Sequence, residues 1–261
     1  MYTHNLDPVL FDFNIIVIRW YSLAYIFGII IGWWLGKRII IKKLQNMYLT
    51  FKANEFDDLI TYLIISILIG GRIGYIFFYN FEYYILNPLD IFKIWEGGMS
   101  FHGALLGIIF GTHLFAKQKS VKTFFLLDII ACVSPVGIFF GRIANFINGE
   151  LVGKTTDVAW GVIFPYIDNM PRHPSQLYEA FLEGVILFFI MNIVILKKDY
   201  KVGTCSYMFL ILYGCFRILS EFFREPDIQI GYLYNIISMG MLLSMFMIVA
   251  GVIIYLKKNE K

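Results

Sequence analysis

The chain has 261 residues, of which 59% are hydrophobic, 18% aromatic and only 16% charged. A soluble domain carries about 25% charged residues, so the composition excludes a pair of soluble domains and points to one membrane-embedded unit over residues 1–261. The net charge of +3 is too small to point to a nucleic-acid partner, and none is expected.

The first eighteen residues hold no Lys or Arg and carry Asp7 and Asp12, unlike the basic start of a secretory signal. The first apolar run is therefore expected to stay in the mature protein as a helix. A bilayer core about 30 Å thick needs about 20 mostly apolar helical residues. Seven runs fit this need, near 18–36, 57–79, 99–116, 122–141, 176–196, 203–223 and 232–256. The expected fold class is an all-α polytopic membrane protein with seven transmembrane helices and a small external loop subdomain.

Charge in the connections sets the expected orientation. Segments 37–56, 117–121, 197–202 and 257–261 are rich in basic residues, among them Lys37, Arg38, Lys117, Lys119, Lys197, Lys198, Lys257 and Lys258. The opposite segments carry Lys93, Lys154, Arg172 and Arg224, with Arg142 at a helix end and many acids. The positive-inside rule then puts the N-terminus outside and the C-terminus in the cytoplasm. Two external loops, 80–98 and 142–175, are too long for turns and are where chemistry on a rigid scaffold is expected. No internal repeat of the kind found in many transporters is visible.

Ionised groups inside a membrane are costly and mark function by default. Arg72 stands in Gly70-Gly71-Arg72-Ile73-Gly74-Tyr75, where flanking glycines allow close helix approach, and a structural ion pair between helices is its other reading. His102 opens the third span, and Gly103, Gly107 and Gly111 follow at every fourth position, a small-residue face for tight packing. His102 reads either as a hydrogen-bonding core residue or as a general base.

The fourth span ends in Gly141-Arg142-Ile143-Ala144-Asn145-Phe146-Ile147-Asn148-Gly149-Glu150. If the helix continues, Arg142 and Asn145 share a face, and a forked guanidinium suits phosphate oxygens. The alternative is a helix end at which Arg142 caps carbonyls and Gly149 stops the helix. The fifth span opens at Pro174-Ser175, with Ser175 as expected N-cap, and stacks Glu179 and Glu183 one turn apart to pair with arginines. In the sixth span Tyr213, Arg217, Glu221 and Arg224 form one polar stripe. Two cations against one carboxylate on that stripe leave a positive surplus suited to an anion. The three cysteines, Cys132, Cys205 and Cys215, lie in apolar runs without metal-ligand spacing, so no metal site is expected.

These segments, with Arg19-Trp20-Tyr21-Ser22-Leu23-Ala24-Tyr25, Met99-Ser100-Phe101-His102-Gly103 and Arg172-His173-Pro174-Ser175-Gln176-Leu177-Tyr178-Glu179, resemble the bacterial prolipoprotein diacylglyceryl transferases. The resemblance runs in order along nearly the whole chain. Ala144 and Ala104 stand where that family usually has glycine, small-for-small changes. The resemblance implies a seven-helix enzyme of the bacterial inner membrane with its site toward the external face. It would take phosphatidylglycerol as donor and the lipobox cysteine of a preprolipoprotein as acceptor, form a thioether and release glycerol phosphate, with no metal, nucleotide or other cofactor.

The positions carried over are Tyr21, His102, Arg142, Asn145, Glu150, Arg217, Glu221 and Arg224. In this reading Arg142 and Arg217 neutralise the phosphate, and His102 takes the thiol proton. Asn145, Glu150 and Glu221 orient the others, Tyr21 and Tyr213 reach the donor headgroup, Arg224 contributes to substrate binding, and Arg72, Tyr178 and Glu179 support them. The rival reading is a transporter or flippase of an anionic lipid, which would also need an arginine cluster.

Overall fold

The computed structural model describes residues 1–13, 17–47, 51–93, 97–226, 232–233 and 237–259. Each apolar run of the sequence contains helix, although the last begins in strand before α9: α1 (Trp20–Met47), α2 (Glu55–Tyr79), α4 (Phe101–Gln118), α5 (Thr123–Asn148), α6 and α7 (Ser175–Glu179 and Leu187–Leu196), α8 (Thr204–Glu221) and α9 (Met239–Asn259). A short α3 (Phe81–Leu86) and a 3₁₀ turn (Pro88–Phe92) lie between α2 and α4. Among the described residues, five stretches are long and apolar enough to cross a membrane, against the seven expected: Trp20–Lys43, Glu55–Phe77, Thr123–Asn148, Ser175–Leu196 and Met239–Lys258. Many large apolar side chains on them, such as Ile30, Ile65, Phe189 and Phe246, point outward, as a lipid-facing surface requires.

The structure departs from a purely helical fold. Short strands appear: β1 (Tyr2–Thr3), β2 (Val9–Asp12), β3 (Val17–Arg19), β4 (Val162–Ile163), β5 (Pro171–Arg172), β6 (Tyr232–Leu233) and β7 (Ile237–Ser238). β4 pairs parallel with β1 and antiparallel with β5, and β2–β3 and β6–β7 are antiparallel pairs. Backbone that leaves a helix still needs partners for its N–H and C=O groups, and these ladders supply them. Val152, Val162 and Phe164 form a small core beneath the three-stranded sheet, with Phe146 packed against it.

The chain forms two compact units, Met1–Leu35 with Ile130–Lys261, and Gly36–Ile129. In the second, α2 and α4 meet backbone to backbone. A Cβ on Gly103 would come within 2.2 Å of the Gly70 carbonyl oxygen, and one on Gly107 within 2.2 Å of that of Ser66. The glycine face expected from the sequence is thus a helix–helix seam.

In the first unit, α5 continues to Asn148, seven residues beyond the expected boundary, because nothing breaks it before Gly149 at φ +64°. Between α6 and α7 the helix widens into a π segment, Ala180–Ile186. Gly184 in this segment lies so close to α5 that a Cβ would meet that of Phe139 at 2.7 Å. This contact brings the neighbouring Glu183 against α5 one turn before Arg142, and π segments of this kind recur at functional sites. Ser175 does not cap α6: Pro174 holds the N-cap position, and the Ser175 hydroxyl donates instead to the Leu151 carbonyl at 2.9 Å.

Candidate functional site

Three arginines from two elements converge on the carboxylates of a third. Arg142 of α5 places Nε 2.9 Å from Glu179 Oε2 and Nη2 3.3 Å from Glu183 Oε2. Arg217 of α8 donates to Glu179 Oε1 at 2.6 Å and to the Glu221 carboxylate one turn on, and lies 3.7 Å from Glu183 Oε1. Arg224, just past α8, reaches Glu179 Oε1 at 3.4 Å. Glu179, fully buried, is therefore shared by three guanidiniums.

The positive surplus expected from the α8 stripe alone disappears once the fold assembles. Arg142, Arg217 and Arg224 face Glu179, Glu183 and Glu221, three charges against three. Six such groups in an interior are tolerable because each is paired, and removing one partner would leave a bare buried charge. Tyr213 is buried one turn before Arg217 on the same stripe and stacks on Phe209 with ring centroids 5.6 Å apart.

Glu221 has support that the sequence did not reveal. Its Oε2 accepts from the Ser238 hydroxyl at 2.8 Å, and that same oxygen of Ser238 accepts from the Met241 N–H at the start of α9. Gly240 leaves the needed space, since a Cβ there would fall 2.4 Å from Glu221 Oε1. A Ser one or two residues before a helix reads as a cap in any sequence, so only the fold shows its second partner.

A second polar chain lies at the end of α5. The Asn145 amide donates to the Tyr21 hydroxyl and lies 3.5 Å from Glu150 Oε2, while Asn148 donates to Glu150 Oε1 at 3.0 Å. The Glu150 main chain is fixed by its own N–H to the Asn145 carbonyl at 2.9 Å and by Gln176 Nε2 to its carbonyl at 2.6 Å. The turn is tight: Gly149 and Leu151 both have positive φ, at +64° and +56°. Such a backbone at a non-glycine residue persists where surrounding contacts over-determine it. His4, buried beside this turn, bonds the Phe146 carbonyl through Nε2 at 2.8 Å and ties β1 to the helix end.

Not every expected residue joins these groups. Tyr178 points the other way, into an apolar cavity of about 650 Å³ lined also by Trp160, Phe181, Leu219 and Phe223. Its hydroxyl accepts from Trp160 Nε1 at 2.7 Å and bonds His173 Nδ1 at 3.1 Å. Burial lowers the His173 imidazole below its ordinary value. Arg72 belongs to the other unit, and among the described residues its hydrogen-bond partners are main-chain carbonyls rather than a carboxylate. The His102 side chain lies outside the described residues; its backbone sits in the first turn of α4, whose N-cap Ser100 accepts from the Gly103 N–H at 3.3 Å.

Helices long and apolar enough to cross a membrane, together with a buried, fully paired cluster of arginines and carboxylates, mark a multi-pass membrane protein. Residues 8–257 match the family model described as prolipoprotein diacylglyceryl transferase. The phosphatidylglycerol–prolipoprotein diacylglyceryl transferase of Rickettsia felis is 46% identical over 259 residues, 98% of each chain. That of Ehrlichia canis is 49% identical over 250 residues, 94% of each chain. The chain belongs to the prolipoprotein diacylglyceryl transferase family and is a transferase.

Proposed function

We propose that this enzyme moves the diacylglyceryl group of phosphatidylglycerol onto the lipobox cysteine thiol of preprolipoproteins, from a seven-span fold in the bacterial inner membrane with its site toward the external face. The observation that supports the reading best is the Arg142–Glu179–Arg217 core of the cluster, whose guanidiniums come from separate helices and are held in fixed orientation. In the proposed step the thiol gives its proton to His102 and the thiolate sulfur attacks the glyceryl carbon. The carbon–oxygen bond to phosphate breaks, its electron pair goes to that oxygen, and glycerol phosphate leaves with one more negative charge.

Arg142 and Arg217 stabilise that charge as it develops. Preorganised donors in a water-poor site are worth about 2.7–4 kcal/mol each when removed. Both side chains keep a minor share of exposed surface, 17% and 11%, through which a phosphate oxygen gains access. An arriving phosphate competes with the carboxylates for the guanidiniums, and Glu183, whose contacts at 3.3 and 3.7 Å are looser than those of Glu179, is the one to yield. Tyr21, Asn145 and Glu150 bind the polar end of the donor, Glu221 and Arg224 hold Arg217 and Glu179 in place, and Tyr213 lines the approach. The purified protein, mixed with phosphatidylglycerol and a lipobox peptide, is expected to give a peptide heavier by one diacylglyceryl group. An unmodified peptide under conditions where the protein remains folded would overturn the reading.

A further inference from the structure

The Arg72 side chain is 4% exposed, and its hydrogen-bond partners among the described residues are main-chain carbonyls. Its Nε donates to the Ile91 carbonyl at 3.0 Å, Nη2 to those of Asp90 at 2.6 Å and Lys93 at 3.1 Å, and Nη1 to those of Gly97 at 2.5 Å and Gly98 at 3.4 Å. The guanidinium carbon also lies 5.1 Å from the centre of the Tyr84 ring on α3. One planar cation thus gathers α3, the 3₁₀ turn and the segment leading into α4. The neighbouring residue adds a main-chain bond: the Ser100 N–H donates to the Gly71 carbonyl at 2.8 Å.

The loop is shaped to receive this cation. Gly97 and Gly98 have φ of +86° and +77°, conformations that other L residues rarely adopt. A Cβ on Gly98 would fall 2.6 Å from the Tyr75 ring and 3.0 Å from Arg72 Nη1. Two residues on, Ser100 caps α4, and two residues further comes His102.

We propose that Arg72 is a positioning residue for diacylglyceryl transfer, a latch whose bonds to the main chain of Asp90, Ile91, Lys93, Gly97 and Gly98 set the first turn of α4 and the backbone of His102. The proposal rests on the reading in which His102 takes the thiol proton. Main-chain carbonyls cannot move away singly to admit an anion, so the latch is a fixed element and not a second phosphate site. Lysine cannot replace it, because a compact ammonium with three donors does not span carbonyls spread along the plane of a guanidinium.

The test compares the full-length purified protein with Arg72→Lys, Gly98→Ala, His102→Gln and the Arg72→Lys/His102→Gln double variant, using phosphatidylglycerol micelles and a lipobox peptide. A misplacement on the order of 1 Å costs about a hundredfold in rate, so Arg72→Lys and Gly98→Ala are expected to lose kcat by about that factor. KM for phosphatidylglycerol should stay near wild type, the melting temperature should hold, and amide exchange should rise only over residues 97–103. The double variant should be no slower than His102→Gln, since a latch that acts through His102 has nothing left to position.

A wild-type kcat for Arg72→Lys would overturn the proposal, as would losses that multiply in the double variant. A loss of kcat accompanied by melting of the whole chain would overturn it too, by showing a merely structural role. A wild-type rate for His102→Gln alone would remove the base assignment and the route through it, whereas the kcat and local exchange of Arg72→Lys report on the latch separately.

Discussion

The two units bury guanidinium groups in opposite ways. Arg142, Arg217 and Arg224 are met by side-chain carboxylates on neighbouring helices, whereas Arg72 is met by the main chain of one loop. Side-chain partners swing about their χ angles and are exchangeable, so a cluster built from them is able to let one carboxylate go when an anion arrives. A carbonyl moves only with its loop, so a cation held by carbonyls fixes geometry and gives none of it up. The difference separates arginines that, in the proposed reading, work on a substrate from an arginine proposed to shape the backbone.

The sharpest way to break the comparison is at the shared carboxylate. Glu179→Gln leaves three guanidiniums around a neutral amide, and stripping one partner from a buried pair costs about 3–5 kcal/mol. Thermal unfolding in detergent should show this loss, with turnover abolished. A Glu179→Gln protein that melts like wild type would mean that the cluster is already wet and loosely paired.

The next effect tests anion geometry. Arg142→Lys and Arg217→Lys keep the charge but lose the fork, and each is expected to lower turnover by about 10²–10³-fold with little change in melting temperature. Near-normal turnover in either variant would make that residue a structural cation of the same kind as Arg72.

The smallest effect lies away from both sites, at a surface pair. Arg172 donates to Asp168 at 2.6 Å and holds that carboxyl below the usual carboxylate range, hydrogen bonding being the main cause. A depressed folded value means that the contribution is present above about pH 4 and fades as pH falls through the lower folded value. Melting temperature measured from about pH 6 down to about pH 3 should fall slightly less steeply for Asp168→Asn than for wild type. An unchanged slope would show that the pair is fully screened by solvent.

Much of this arrangement was legible in the sequence. Helices appear at each apolar run because a bilayer-length apolar segment has few other ways to satisfy its backbone. The Gly103–Gly107–Gly111 face follows from a period of 3.6 and is found as read, whereas α8 carries Tyr213, Arg217 and Glu221 of the expected stripe and ends before Arg224. What periodicity could not show is which face meets which. That Glu179 takes three arginines, that Tyr178 turns away from them, and that Ser238 supports Glu221 all depend on contacts far apart in the chain. The strands escaped notice for a related reason. β1 and β4 are two residues each, too short to show any alternation, and β1 is a strand because it finds β4, itself paired with β5, far along the chain.

The bond between Ser238 and Glu221 also bears on the order in which the surroundings of Glu221 are assembled. Glu221 leaves the ribosome well before Ser238, Gly240 and the rest of α9, so for a time its carboxylate has neither the hydroxyl nor the helix start that later hold it. The ion pairs of the cluster lie wholly within residues 142–224, but the hydroxyl support of Glu221 waits for the start of α9. A chain ending before Ser238 would still carry all three arginines and their carboxylates, yet Glu221 Oε2 would lack the hydroxyl that donates to it.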